Sequence, residues 1–261
     1  MRLGKTTGMV SLALVFALIA VALTGCSSAS NASKTPQYDL AQDGVLTVAS
    51  SLDYPPFEYL DGETPTGFSI AMIQEVANRL GLACSVQKVP FDGILSSISE
   101  GGTYDVGVSS ITITAKRSEQ VAFSDLYYIA DLAVVTRGGA YVSVADLKGK
   151  PVAARHATTG VDYVRDKMSG TVVEFDDPRA CFAALRAGSV EAVVIDLPYA
   201  QKMLAGDYAD CTILEWVASC ETYGIALNKK NIELQAAIND ALSQMESDGT
   251  MVRLRTEYLG R

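Results

Sequence analysis

The sequence predicts an α/β protein of two lobes, with the chain crossing twice between them. Three observations predict it. Strand-like and helix-like segments alternate from Val45 to Val108 and again from Pro151 to Ile195, which implies mostly parallel sheets. An extended apolar segment follows each set, Ala130–Thr136 after the first and Tyr223–Leu227 after the second. The last helical stretch has no strand after it and packs most simply back on the first set.

At the N-terminus, Arg2 and Lys5 precede an uncharged apolar run from Met9 to Leu23, the layout of a secretory signal. The run is short for a membrane span, which takes about 20 apolar residues. It ends in Leu23-Thr24-Gly25-Cys26, which resembles the lipobox of bacterial lipoproteins. Residues 1–25 are therefore expected to be a signal peptide and Cys26 the lipidated first residue of the mature chain; the plainer alternative is an ordinary signal with an incidental cysteine. Residues 27–37 lack any apolar period and read as a flexible tether, which is taken to span 26–43.

In the first set, Val45–Ala49 reads as a strand. Gly67–Leu80 reads as a helix with Ile70, Ile73, Val76, Ala77 and Leu80 on one face, closed by Gly81. Strand Cys84–Val89, helix Asp92–Ser99 with Asp92 as candidate N-cap, and strand Tyr104–Val108 follow. The second set runs strand Pro151–Arg155, helix Gly160–Met168, strand Thr171–Phe175, helix Pro178–Ala187 and strand Glu191–Ile195. Pro178 at the start and Gly188 at the end of the longer helix match the usual asymmetry of helix ends. The expected lobes are 44–131 with 223–261, and 132–222, with hinges near 129–133 and 221–225.

Removing 25 of 261 residues leaves 236, enough for two small domains. The mature chain would carry 19 Lys and Arg against 30 Asp and Glu, a net charge of about −11 that argues against a nucleic-acid partner. Cys84, Cys181, Cys211 and Cys220 lack metal-site spacing. Cys211 and Cys220 are the pair closest in sequence, but connectivity stays open and all four could be buried thiols. The single histidine, His156, cannot build a histidine-dependent metal site or triad alone. There is no P-loop and no Gly-x-Ser-x-Gly elbow, so no cofactor is expected.

Three stretches carry chemistry. Ser50–Tyr59 (SSLDYPPFEY) presents Tyr54 and Phe57 on a loop stiffened by Pro55-Pro56. Ser109–Arg117 (SSITITAKR) packs hydroxyls and a guanidinium into one strand-to-helix turn, and Asp196 ends the strand Glu191–Ile195. A free amino acid is a zwitterion and needs a planar anion clamp and, a few ångströms away, a carboxylate for its ammonium. Ser110, Thr112 and Arg117 match the first need and Asp196 the second. Coming from different lobes, they would hold the cleft shut around a ligand.

These motifs, with GFSIAMIQEVANRLG, FDGIL, LKGKPVAA, EAVVID and DGTMVRLRTEYLG, resemble the polar amino-acid branch of ABC-transporter substrate-binding proteins, bacterial extracellular family 3, from about Gly44 onward. The resemblance implies a type II periplasmic-binding fold. It also implies that Tyr54 and Phe91 sandwich the ligand's aliphatic part, and that Ser109 and Ser110 sit near its ammonium and carboxylate. Thr112, Arg117 and the Thr158-Thr159 amides would bind the carboxylate, and Asp196 the ammonium. Ser51 stands where members that bind cationic amino acids carry an aspartate. Arg155-His156-Ala157-Thr158 replaces a Gln-x-Gly-Thr-like run, and related glutamine binders place a cation at the position of Arg155. A glutamine- or glutamate-like ligand is therefore favoured.

The plainer readings are a solvated Arg117, an Asp196 that only caps a helix, core roles for Tyr54 and Phe91, and an Arg155 paired with Asp176 or Asp177. The implied partners are a membrane permease and its cytoplasmic ATPase. The protein is expected to be monomeric and extracytoplasmic, touching the cell membrane only through the lipid on Cys26. A rival from another class is an exported enzyme on the same fold, such as a cyclohexadienyl dehydratase-like lyase, which needs a general acid or base in the cleft. A sensory domain is a third reading, disfavoured on the expectation that a signalling module would follow Arg261.

Overall fold

The computed structural model describes residues 38–260. The expected leader at 1–25, the lipid-attachment residue Cys26 and residues 27–37 of the tether lie outside the described residues. Two five-stranded sheets, one per lobe, organise the rest. From edge to edge the first contains Ala83–Lys88, Val45–Ser50, Val106–Gly107, Ala226–Leu227 and Ala122–Phe123. Val45–Ser50 pairs in parallel with both of its neighbours. Leu46, Val48 and Ala49 are fully buried, as a parallel strand covered on both faces requires.

The helix Phe68–Arg79 buries Ile70, Ile73, Val76 and Ala77, the face its spacing predicts. Gly67 before it has φ 109°, and a Cβ there would lie 2.3 Å from the Phe57 carbonyl oxygen, so only glycine fits. The C-terminal helices Ile232–Ser247 and Thr250–Leu259 pack on Phe68–Arg79. Helix Phe91–Glu100 follows Pro90, so Asp92 stands in its first turn instead of capping it. Asp53–Tyr54, Glu58–Asp61 and Thr64–Thr66 form a small antiparallel sheet in what reads from sequence as a loop.

The second sheet runs Thr171–Phe175, Pro151–Arg155, Ala192–Asp196, Tyr128–Arg137 and Cys211–Tyr223. The first three strands are mutually parallel, and Tyr128–Arg137 runs antiparallel to both of its neighbours, Ala192–Asp196 and Cys211–Tyr223. Asp177 caps helix Pro178–Ala187 by accepting from the Arg179 amide at 2.8 Å, and Gly188 ends it at φ 74°. The helix expected at Gly160–Met168 is instead an α-turn, Thr159–Tyr163, continued by a π-turn, Val164–Met168. The 13-residue strand Cys211–Tyr223 is not visible in the sequence pattern. It is an edge strand with two register shifts, so its polar and apolar residues lose strict alternation.

Tyr128–Arg137 and Cys211–Tyr223 pair with each other and carry the chain between lobes; the expected divisions at 131/132 and 222/223 fall on them. Backbone bonds stitch their ends to the first lobe: Ile113 donates to the Thr222 carbonyl (2.8 Å), Gly224 to Ile111 (3.1 Å) and Tyr127 to Tyr223 (2.9 Å). Phe57, Phe68, Tyr127, Tyr128 and Tyr223 pack ring against ring beneath this crossing.

Residues 38–43, which composition groups with the tether, are tied to the first lobe. The Ala41 amide donates to Asp105 (2.7 Å), and the Asp39 carbonyl accepts from Asn231 (2.8 Å). Cys84, Cys181, Cys211 and Cys220 are all free thiols; Cys181 and Cys211 are buried and Cys220 is exposed. No helix among the described residues is long and apolar enough to cross a membrane.

Candidate ligand-binding site

Ten of the eleven residues singled out from sequence line one small cavity between the lobes: Tyr54, Phe91, Ser109, Ser110, Thr112, Arg117, Arg155, Thr158, Thr159 and Asp196. It measures about 20 Å³, room for about one water molecule. A ligand of amino-acid size therefore enters only when the lobes part. The eleventh residue, Ser51, does not line the cavity. Its hydroxyl donates to Asp53 (2.6 Å) and accepts from the Ser109 hydroxyl (2.8 Å), so it positions its neighbours.

Strand ends supply Arg155 and Asp196, because parallel strands deliver their C-terminal residues to the crevice edge, and the following loops and turns supply most of the other polar groups. Asp196 ends Ala192–Asp196 and stands at the N-cap of helix Leu197–Leu204, yet makes no capping bond. Its carboxylate accepts from the Tyr54 phenol of the other lobe instead. Burial, and next the charge of Glu221, push the Asp196 carboxyl up to about 7. The Tyr54 ring stacks on Tyr199 with centroids 4.3 Å apart.

Arg117 follows Thr114, whose side chain caps the short turn Ala115–Ser118. The guanidinium donates to the Thr112 carbonyl (2.8 Å) and, across the cleft, to the Ala157 carbonyl (2.9 Å). Burial lowers its pKa, and the nearby carboxylates of Glu221 and Asp196 oppose that fall. Two guanidinium groups lie over the Phe91 ring, Arg155 at 4.6 Å and Arg117 at 5.8 Å from its centre. Ser110, at φ 50°, turns its hydroxyl to the buried Glu58 (3.1 Å), and the Thr158 hydroxyl bonds the Arg155 carbonyl (2.6 Å).

Arg155 is not paired as the plainer reading expects. Its carboxylate partner is Asp53 of the opposite lobe (2.7 Å), while Asp176 offers only its backbone carbonyl (3.2 Å). The guanidinium is 4% exposed and also faces the Tyr54 ring at 5.6 Å. Beyond Arg155 and Phe91 the cleft widens into an outer chamber of about 820 Å³, whose walls include Asp53, Lys88, Asp92, Asp177, Arg179 and Lys202. His156 stands on that wall, half exposed, and bonds Glu174 (2.7 Å).

Residues 46–261 match the sequence profile of bacterial extracellular solute-binding proteins, family 3. The chain belongs to that family. Family 3 relatives include the L-cystine-binding protein TcyJ of Escherichia coli K12, 31% identical over 93% of each chain. Another is the arginine-binding extracellular protein ArtP of Bacillus subtilis, 27% identical over 95% of this chain and 96% of that one. Among solved structures, an ancestral arginine-binding protein bound to glutamine superposes with TM-score 0.78 at 33% identity, covering 84% of this chain and all of that one. The fold is accordingly the two-lobe type II periplasmic-binding fold of family 3.

Sequence reading misses three groups of this family 3 cleft. Asp53 was in view within SSLDYPP, but nothing local tells which of its neighbours faces the opposite lobe. Glu58 lies in the same motif, where it is fully buried and its carboxyl is pushed up to about 8 by burial. Glu221 lies on the strand that the pattern does not disclose; it accepts from Thr112 (2.6 Å) and Thr159 (2.8 Å).

Proposed function

We propose that the chain captures a polar amino acid outside the cytoplasm and delivers it to an ABC permease driven by its ATPase. The observation that carries this reading is the placement of Arg117 and Asp196 on one cavity, a fork for the α-carboxylate and a carboxylate for the ammonium. Thr112 and Thr159 add hydroxyl donors, and Tyr54 and Phe91 flank the aliphatic part. The lobes are 44–131 with 223–261, and 132–222, bending at the two crossing strands. Lipid on Cys26 anchors the monomeric chain to the cell membrane after removal of residues 1–25. The chain binds and releases without catalysis.

Glutamine or glutamate is the favoured ligand. Arg155, desolvated beside the cavity, repels a cationic side chain and donates to an amide or carboxylate oxygen; Asp53 beside it can accept from an amide NH₂. One observation favours a second, longer ligand. The outer chamber shares Phe91 and Arg155 with the inner cavity and carries both acids and bases, so a double-ended amino acid such as L-cystine could place its far end there. The cystine-binding relative lends that reading weight.

A melting-temperature screen against the common amino acids and cystine tests the proposal, since a ligand at 100 times its Kd stabilises by about 2.7 kcal/mol. Stabilisation by glutamine or glutamate supports the first reading, by cystine alone the second. Arg155→Met should abolish any preference for polar over apolar side chains. Conversion of prephenate or arogenate to an aromatic product would establish the enzymatic rival instead.

A further inference from the structure

We infer that Glu221 is a built-in stand-in for the ligand's α-carboxylate, a latch that helps hold the cleft shut without ligand and that an incoming amino acid must displace. The inference rests on the reading that Thr112, Arg117 and Thr159 receive that carboxylate. Glu221 is 8% exposed and is the third residue from the end of the second crossing strand. A register shift separates it from Val217, after which it pairs with Ala130. The bulge, with Cys220 at φ 49°, resets which side chain faces Thr112 and Thr159 on the cavity wall.

One oxygen, Oε2, takes both hydroxyls: Thr112 donates at 2.6 Å from the first lobe and Thr159 at 2.8 Å from the second. Thr112 is held to the crossing strand by a bridge to Tyr223 and by the Ile113 amide on the Thr222 carbonyl. From the crossing strand, Glu221 therefore ties Thr112 of the first lobe to Thr159 of the second through one oxygen. Arg117 spans the same gap through Ala157 and feels the Glu221 charge. A carboxylate on two threonine hydroxyls beside a guanidinium reproduces the donor set assigned to the ligand.

A hydroxyl carries a single proton and donates to one acceptor at a time. While Glu221 holds Thr112 and Thr159, neither can donate to a second carboxylate, and two carboxylates that close repel. The ligand competes with Glu221 for the closed state, and its apparent affinity is reduced by the fraction of molecules latched shut.

The test compares wild type with Glu221→Ala and Glu221→Gln, each stripped of ligand by unfolding and refolding. Small-angle scattering without ligand should give a larger radius of gyration for Glu221→Ala than for wild type, with Glu221→Gln between them. Calorimetry with L-glutamine should then show Glu221→Ala binding at least tenfold more tightly than wild type. An unchanged or smaller radius, or affinity unchanged or weakened by Glu221→Ala, overturns the latch. If no amino acid binds wild type, the ligand reading falls, and the scattering comparison alone decides the latch.

Discussion

The phenol of Tyr54 donates a hydrogen bond to the carboxylate of Asp196, joining residues 142 positions apart from opposite lobes. Tyr54 is buried and Asp196 partly buried in the cleft, where Tyr54 stacks on Tyr199 and Asp196 forgoes helix capping. A carboxylate removed from water needs compensation. One phenol supplies part of it, and an ammonium ion placed beside Asp196 would supply more. The cross-lobe contacts of Arg117 with the Ala157 carbonyl and of Arg155 with Asp53 likewise each place a charged group in a bond across the cleft.

Arg117 and Asp196 should each be required for ligand but not for folding. Removing one partner of a desolvated charge pair costs about 2 to 5 kcal/mol, at roughly 1.4 kcal/mol per decade of affinity. Calorimetry on Arg117→Ala and Asp196→Ala should show binding at least thirtyfold weaker, with wild-type circular dichroism. Near wild-type affinity in either variant would make that residue structural only.

Affinity should rise with pH. The Asp196 carboxyl sits at about 7 without ligand, and an ammonium ligand requires its ionised form. Below that value binding must expel a proton, so affinity should grow by up to about tenfold per pH unit from pH 5 and level off above pH 7. Titrations at pH 5.5 and 7.5 check this, and Asp196→Asn should show no such slope. A pH-independent wild-type affinity would contradict it.

Glu58 should make stability fall as pH rises. Its folded carboxyl, at about 8, lies above the ordinary value of 4.5, so the folded state holds a proton that the unfolded state releases. The resulting stability is complete below about pH 4.5 and is lost as pH rises through about 8, with a slope of up to about 1.4 kcal/mol per pH unit. Between pH 5 and 8.5, denaturant melts should show wild type losing more stability than Glu58→Gln. Parallel curves would mean that Glu58 is ionised throughout.

Much of this molecule was legible in the sequence, and the illegible parts share a cause. Strands such as Pro151–Arg155 and Thr171–Phe175 and helix Pro178–Ala187 appear at their expected bounds, because hydrophobic period and end signals are local. Placement of Asp196 and Arg117 on one cavity followed from strand ends and a recognisable motif. By contrast, Asp53, Glu58 and Glu221 take their roles from partners 102, 52 and 109 residues away, and no local pattern encodes those pairings. Ser51 shows the converse: its position is informative, but its hydroxyl serves Asp53 and Ser109.

Cys26→Ser should free the protein from membranes. The Leu23-Thr24-Gly25-Cys26 boundary motivates this, and mass spectrometry of wild type should find a lipidated Cys26 as the first residue. A variant that stays in the membrane fraction, or an unlipidated wild type, would contradict the anchor.

The account turns on whether this cleft holds a free polar amino acid, and calorimetric titration of wild-type protein with L-glutamine, L-glutamate, L-cystine, L-lysine and L-arginine addresses that directly. The expected result is one-to-one binding of a glutamine- or glutamate-like ligand, or of cystine, with lysine and arginine at least tenfold weaker, as the proposed role of Arg155 at the side-chain end requires. Heat from none of the five, or tightest binding of lysine or arginine, would contradict it.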